Sequence, residues 1–192
     1  MHIRLASPED APAIRAIYAP FIEDSFVSFE TVVPSVAEMA ARIAAVLAEA
    51  PWLVCTAGDE VAGYAYAGSH RARQAYQWNR ELSVYLAEKW QGKGIARALY
   101  TTLIDLIRLQ GYANALAGIA LPNEASVRFH ERLGFRPVGV YHHIGFKNGQ
   151  FCDVGWWEMP IRETPPGRIF SIADLENSEE WREVLLRGAQ AT

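Results

Sequence analysis

The chain has 192 residues, 51% of them hydrophobic, with six Trp and a net charge of −4. That length predicts one domain, or one domain and a tail, with enough apolar mass to bury a sizeable core. The negative balance argues against a nucleic-acid partner, and no apolar run approaches the ~18 residues of a membrane span, so neither is expected.

Met1-His2-Ile3-Arg4 lacks the apolar core of a signal peptide, and Ile3-Arg4-Leu5 reads as a short strand. Ser7 then caps a helix with Pro8 at its first position and Glu9 and Asp10 in its first turn. Ile14, Ile17, Tyr18 and Phe21 give that helix an apolar stripe. A second helix begins at the capping box Ser35-Val36-Ala37-Glu38, with Met39, Ile43 and Val46 inward. Between them, Glu23 to Pro34 has no helical pattern but carries Phe26, Phe29 and Val33, either as a pocket wall or as a cover for the core.

Trp52–Thr56 and Val61–Ala67 read as strands joined at Gly58-Asp59. Ser69 to Asn79 is a polar and aromatic loop, and Leu82–Leu86 is the next strand. A helix follows to about Gln110, with Gly111 as its stop. Ala115–Ala120 is a buried strand, and Asn123 caps a helix that Gly134 ends. Val138–Phe146 and Phe151–Met159 form a hairpin across Asn148-Gly149. His142 and His143 are adjacent in a strand, so they point to opposite faces and make no chelating pair. Cys55 and Cys152 give neither a disulfide framework nor a metal spacing. They read as small buried hydrophobes and fit a reducing cytoplasm, and no metal is expected. This order predicts an α/β fold: a mixed, mostly antiparallel sheet with helices on both faces and a C-terminal hairpin. We expect one domain over 1–161. Residues 162–192, after the break Thr164-Pro165-Pro166-Gly167, form an extension with a short helix, Ser178 to Arg187. Its stripe of Trp181, Val184 and Leu185 favours docking.

The most telling stretch is Gln91-Gly92-Lys93-Gly94-Ile95-Ala96, between the run Ser83–Leu86 and the helical pattern Ile95, Leu99, Leu103, Leu106, Ile107. Glycines there would let unpaired helix amides approach an anion, although an ordinary strand-to-helix connection gives the same spacing. It is not a nucleotide-hydrolase loop, because Ile95 follows Gly94 where Lys is required. It is not a dinucleotide fingerprint, because Arg97 replaces the third glycine. It fits Gln/Arg-x-x-Gly-x-Gly/Ala, filled by Gln91, Gly94 and Ala96.

That pattern resembles the acetyl-CoA loop of the GCN5-related N-acetyltransferases (GNAT). Further segments resemble the phosphinothricin N-acetyltransferase branch: Trp52-Leu53-Val54, Val61 to Gly68, Arg71-Ala72-Arg73, Ala75-Tyr76, Glu81 to Tyr85, Leu121-Pro122-Asn123, Ser126-Val127-Arg128, His130-Glu131, Gly145-Phe146-Lys147 and Asp153-Val154-Gly155. They fall in order over roughly residues 2 to 161.

The resemblance implies acetyl transfer from acetyl-CoA to the α-amine of a small amino acid or analogue of the phosphinothricin or methionine sulfoximine type. It implies Glu81 as the general base. It places His130 where the wider superfamily has a Tyr that protonates the leaving thiolate; a His there could act as acid, as a second base or in substrate binding. The backbone over Val84, Tyr85 and Leu86 would run beside the pantetheine arm. Gln91, Gly92, Lys93, Gly94, Ile95, Ala96 and Arg97 would hold the pyrophosphate, and Asn123 would reach the arm or simply cap its helix. Arg71, Arg73 and Tyr76 would form the substrate wall, with Phe29 and Lys147 as pocket positions. Glu30 departs from the branch, whose herbicide-resistance members have Arg after the equivalent Phe. A homodimer is implied, with the hairpin or the tail at its interface. Acetylation of protein N-termini or aminoglycosides, or CoA binding without turnover, are the alternatives. Intact Glu81 and His130 favour the enzyme, and Arg71 with Arg73 favours an anionic small molecule.

Overall fold

A computed structural model describes residues 1–164 and 167–191. Pro165 and Pro166 of the expected break lie outside the described residues. The strands are β1 (His2–Leu5), β2 (Trp52–Ala57), β3 (Glu60–Ser69), β4 (Asn79–Leu86), β5 (Asn114–Leu121), β6 (Arg136–Lys147) and β7 (Gln150–Pro160). They form one seven-stranded sheet in the order β1-β2-β3-β4-β5-β7-β6. Every neighbouring pair is antiparallel except β4 and β5. This is the mixed α/β sheet expected from the sequence.

Two helices, α1 (Ala11–Glu23) and α2 (Val36–Leu47), cover one face. Ile14, Ile17, Tyr18, Met39 and Ile43 pack there on Trp52, Val54 and Tyr64. Both capping signals form: the Ser7 amide donates to Asp10 at 2.8 Å, and the Ser35 amide donates to Glu38 at 2.7 Å. The first turn after Ser7, Pro8–Asp10, is a 3-10 turn before α1 begins. Phe21 and Val46 end half-buried, and the stripe of α1 runs through the buried Ile22 instead.

The opposite face is covered by α3 (Ile95–Gln110), α4 (Glu124–Arg132) and two C-terminal helices, α5 (Ile172–Leu175) and α6 (Glu179–Gln190). Leu99, Leu103, Leu106 and Ile107 of α3 are fully buried against β2 to β5. Trp181 and Val184 of α6 are buried in the same cluster. The segment leading to α5 is fixed by the Phe170 amide, which donates to the Gln110 carbonyl at 2.8 Å. Gln110 returns the bond through its side-chain amide at 3.0 Å.

The β6–β7 hairpin turns at Asn148-Gly149, both with positive φ (49° and 78°), the geometry that a two-residue turn between twisted strands requires. The hairpin is less regular than alternation predicts. Its register shifts between Tyr141 and Gly145, and His143 has φ 53°. His142 and His143 therefore do not simply alternate: the His142 ring and the His143 amide both bond Asp153, each at 2.8 Å.

Candidate active site

The sheet opens at Glu81. The parallel pairing of β4 with β5 covers Asn79↔Asn114, Arg80↔Ala115 and Glu81↔Leu116, then stops. Strand β4 stays paired with β3 as far as Leu86↔Gly63, and β5 stays paired with β7 as far as Leu121↔Asp153. Beyond Glu81 the two central strands therefore diverge, each losing a partner on one side. The Ala87 amide donates to Ala62 of β3 at 3.0 Å. Alternation then turns the polar groups of Ser83 and Tyr85 toward β3 and leaves those of Val84 and Leu86 facing the opening. The Tyr85 backbone pairs with β3, and its ring stacks on Tyr64 and meets Tyr18 and Phe21 edge-on.

A 3-10 turn, Glu88–Trp90, leads to the glycine loop. Gly92 and Gly94 have φ of 72° and 85°, and a Cβ built on either would meet nothing within 4 Å. The backbone thus presents an uncovered face at the N-terminus of α3, the arrangement that suits a phosphate. Ile95 is fully buried, so its side chain belongs to the core and only its backbone serves the loop. The Lys93 ammonium lies over the Trp90 ring at 4.6 Å. Arg97 lines a groove of about 580 Å³ with Arg128 and Arg132.

Glu81 projects from the last position of β4 that pairs with β5. His70 Nδ1 lies 2.5 Å from its Oε1, and Arg71 Nε donates to His70 Nε2 at 3.3 Å. Burial pushes the Glu81 carboxyl above the usual carboxylate range, with the His70 bond pulling against it. His70 was not singled out from the sequence. Its loop gives no periodic signal, and only the return of β3 against β4 brings it over Glu81.

His130 is buried, at 5% exposure, between Tyr100, Phe129 and Phe135. Its Nδ1 donates to the Ser126 carbonyl at 2.8 Å, and its Nε2 lies 2.9 Å from the Tyr100 hydroxyl. Tyr100 also reaches the Leu82 carbonyl at 2.9 Å. Burial holds the His130 imidazole below its ordinary pKa, against a smaller opposing pull from the Ser126 bond. Both ring nitrogens are thus engaged inside the protein, and His130 meets the opening through Tyr100 rather than directly. The Asn123 side chain caps α4, accepting from the Ser126 amide at 3.1 Å.

The segment from Asp24 to Pro34 is held against the hairpin. Lys147, expected in the substrate pocket, is instead buried, because its ammonium donates to the carbonyls of Ser25 (2.8 Å) and Ser28 (2.6 Å). The Phe29 ring fills the space beside Gly145, where an added Cβ would approach it to 2.2 Å. Glu30 is neutralised by both guanidinium nitrogens of Arg42, at 2.7 and 3.0 Å, and accepts from the Tyr18 hydroxyl at 2.9 Å. Arg71 lies 5.6 Å from the Tyr76 ring centroid and bears on the Glu81 charge. Arg73 does not join Glu81. It lines a cavity of about 350 Å³ with His70, Arg71, Tyr76 and the buried Arg80, which is itself paired with Glu49 at 2.9 Å. A groove of about 920 Å³ runs between α1 and the ends of β3 and β4. It holds neither Glu81 nor His130 and meets the site at Leu86 and Gln91. Among the described residues, no group of three His, Cys, Asp or Glu side chains is placed to hold a metal ion, and no helix is long and apolar enough to cross a membrane.

A family model described as an acetyltransferase (GNAT) domain matches residues 3–156. The phosphinothricin N-acetyltransferase of Streptomyces viridochromogenes is 37% identical over 88% of this chain and 92% of its own. The L-methionine sulfoximine/L-methionine sulfone acetyltransferase of Salmonella typhimurium is 32% identical over 85% of this chain and 96% of its own. The crystal structure of a GNAT superfamily phosphinothricin acetyltransferase from Sinorhizobium meliloti, in complex with acetyl-CoA, matches with a TM-score of 0.83 at 31% identity, over 88% and 94% of the two chains. The chain belongs to the GNAT acetyltransferase family and is an acetyltransferase.

Proposed function

We propose that this enzyme transfers acetyl from acetyl-CoA to the α-amine of a small amino acid or amino-acid analogue carrying an anionic or strongly polar group, of the phosphinothricin or methionine sulfoximine type. The observation that carries the reading is the opening of the sheet at Glu81. It brings a half-buried carboxylate, an unpaired strand edge and an uncovered helix N-terminus to one crevice. The relatives named for these substrates support the amine class.

The residues present fit the donor. The backbone from Gln91 to Arg97 would hold the pyrophosphate on α3 amides, and the open edge at Val84 and Leu86 would pair with the pantetheine arm as an added strand would. When bound, acetyl-CoA supplies an acetyl group activated as a thioester. Glu81 takes a proton from the substrate ammonium, directly or through water, since an ammonium has no lone pair; the freed amine bonds the acetyl carbon, the C–S bond breaks, and the thiolate leaves with the second proton that the amine sheds. The raised pKa of Glu81 makes it a stronger base than a free carboxylate. A split-facing amide of β4 would stabilise the thioester oxygen as it gains charge. Arg71 holds the anionic group and orients the amine. We place Arg73 at the edge of this wall with Tyr76, and Phe29 on the facing side. His130 acts through Tyr100, fixing the strand edge rather than touching the thiolate. Glu30, already neutralised, offers nothing to a polycationic substrate, which supports the small anionic amine over an aminoglycoside.

In this reading residues 1–161 are the catalytic domain and 162–192 an extension joined to it. The enzyme is a cytoplasmic homodimer, a reading supported by two buried free cysteines and by Val138, Ile144, Phe146 and Phe151, exposed along the outermost hairpin. A screen of free amino acids, methionine sulfoximine and phosphinothricin for acetyl-CoA-dependent thiol release tests the function. Turnover with such amines and none with aminoglycosides or peptide N-termini is expected. The reverse preference would refute it.

A further inference from the structure

The imidazole of His70 is caught between a cation and a carboxylate. Arg71 Nε–H can only donate, so its bond to His70 Nε2 makes that nitrogen an acceptor. The proton of the neutral ring then lies on Nδ1, which donates to Glu81 Oε1 at 2.5 Å. The ring is also held from the sides. It meets Trp156 of β7 edge-on at 5.6 Å and Tyr76 edge-on at 6.0 Å. Trp156 can reach it because Gly118 of β5 has no side chain: the indole lies against that position, 3.3 Å from where a Cβ would stand. Three separate elements thus fix one imidazole in one orientation and one tautomer against one oxygen of Glu81.

Resting on the reading of Glu81 as the base, we infer that His70 is its positioning residue: it ties down Oε1 and leaves the other carboxylate oxygen aimed at the amine. A hydrogen bond from a ring held in this way favours the ionised carboxylate and opposes the effect of burial. The other titratable and charged groups around Glu81 are few. Arg71 lies on the same loop, and Tyr66 lies beside it on β3. The neighbouring strands contribute Glu158 of β7, which pairs with Leu116, and then Arg136 of β6. His70 is the one of these that touches the carboxylate.

Two variants test this. His70→Phe keeps a ring against Trp156 and Tyr76 but removes the donor, and His70→Asn restores a side-chain donor at nearly the same place. In His70→Phe, kcat should fall about 10-fold or more, the scale of one hydrogen bond to a charged group. The acid limb of kcat/KM should move to higher pH, with KM for acetyl-CoA unchanged. His70→Asn should bring the limb back toward wild type. A folded His70→Phe enzyme with wild-type kcat and an unmoved acid limb would overturn the inference. Nitrogen NMR of the wild-type imidazole gives an answer independent of the variants' folding: Nδ1–H with a bare Nε2 is expected, and the opposite tautomer would contradict it. Glu81→Gln serves as the control. If it retains the rate and the acid limb, the base assignment itself fails. If it loses them while His70→Phe does not move the limb, only the role of His70 fails.

Discussion

The hydroxyl of Tyr100 stands 2.9 Å from the carbonyl oxygen of Leu82, one residue beyond the last pair between β4 and β5. A side chain from α3 thus takes a bond that a neighbouring strand would otherwise make, at the point where the sheet opens. Tyr100 has one hydroxyl proton and, with His130 neutral, two acceptors within reach, the Leu82 carbonyl and His130 Nε2.

Tyr100→Phe should therefore act on the opening more than on proton transfer. It leaves a buried carbonyl and a buried imidazole nitrogen with one partner fewer, which costs about 1–3 kcal/mol. Denaturant unfolding should show that loss. KM for acetyl-CoA should rise while the acid limb of kcat/KM stays in place. A shifted limb with unchanged KM would assign Tyr100 to proton transfer instead.

His130 carries a pH signature in stability. An unfolded histidine takes up a proton below ~6.5, whereas the buried ring resists doing so. Between those two pKa values the unfolded state binds more protons, so this stability is present above the unfolded value and lost as the pH falls. The stability gap between wild type and His130→Asn should narrow from pH 7.5 to 5.5. A gap constant with pH would show that His130 titrates alike in both states.

Gly94→Glu should abolish acetyl-CoA binding while the domain stays folded. The space beside Gly94 is open, so the side chain clashes with nothing inside the protein. It would enter the volume assigned to the pyrophosphate and add a like charge. The positive φ adds a local strain, about 1 kcal/mol. Calorimetry on the folded variant should show no binding, and wild-type affinity would refute the loop assignment.

Arg71 and Arg73 should separate. Both line the cavity beside Tyr76, but Arg71 bears on the Glu81 charge and bonds His70, whereas Arg73 does neither. Arg71→Ala should lower kcat/KM for methionine sulfoximine about 10-fold or more, the scale of one charge-assisted bond, and should affect an uncharged amine much less. Arg73→Ala should have the smaller effect. Equal losses for both substrates in Arg71→Ala would remove the anion clamp from the account.

Much of this arrangement was legible in the residues. Capping boxes, the Asn148-Gly149 turn and the apolar period of α3 are local signals, and each element they mark is present. The glycine loop was readable because it joins a strand to a helix within a few residues. What local pattern could not show is which side of β4 is free. The place of Tyr85 follows from pairing with β3, not from its own sequence. Lys147 looks like a substrate ligand until the Ser25 and Ser28 carbonyls, more than a hundred residues away in sequence, take its ammonium. His70 carries no signal either, because its partner Glu81 is supplied by the antiparallel return of the chain.

Glu81 is the proposed base at the mouth of the split sheet, and the pH dependence of turnover by Glu81→Gln tests that role most directly. The variant should bind acetyl-CoA with nearly unchanged affinity and turn over about 10²-fold more slowly at neutral pH, the scale of general-base catalysis. It should recover part of the rate at high pH, where the free amine is abundant. Wild-type turnover from pH 7 to 9 would contradict the account.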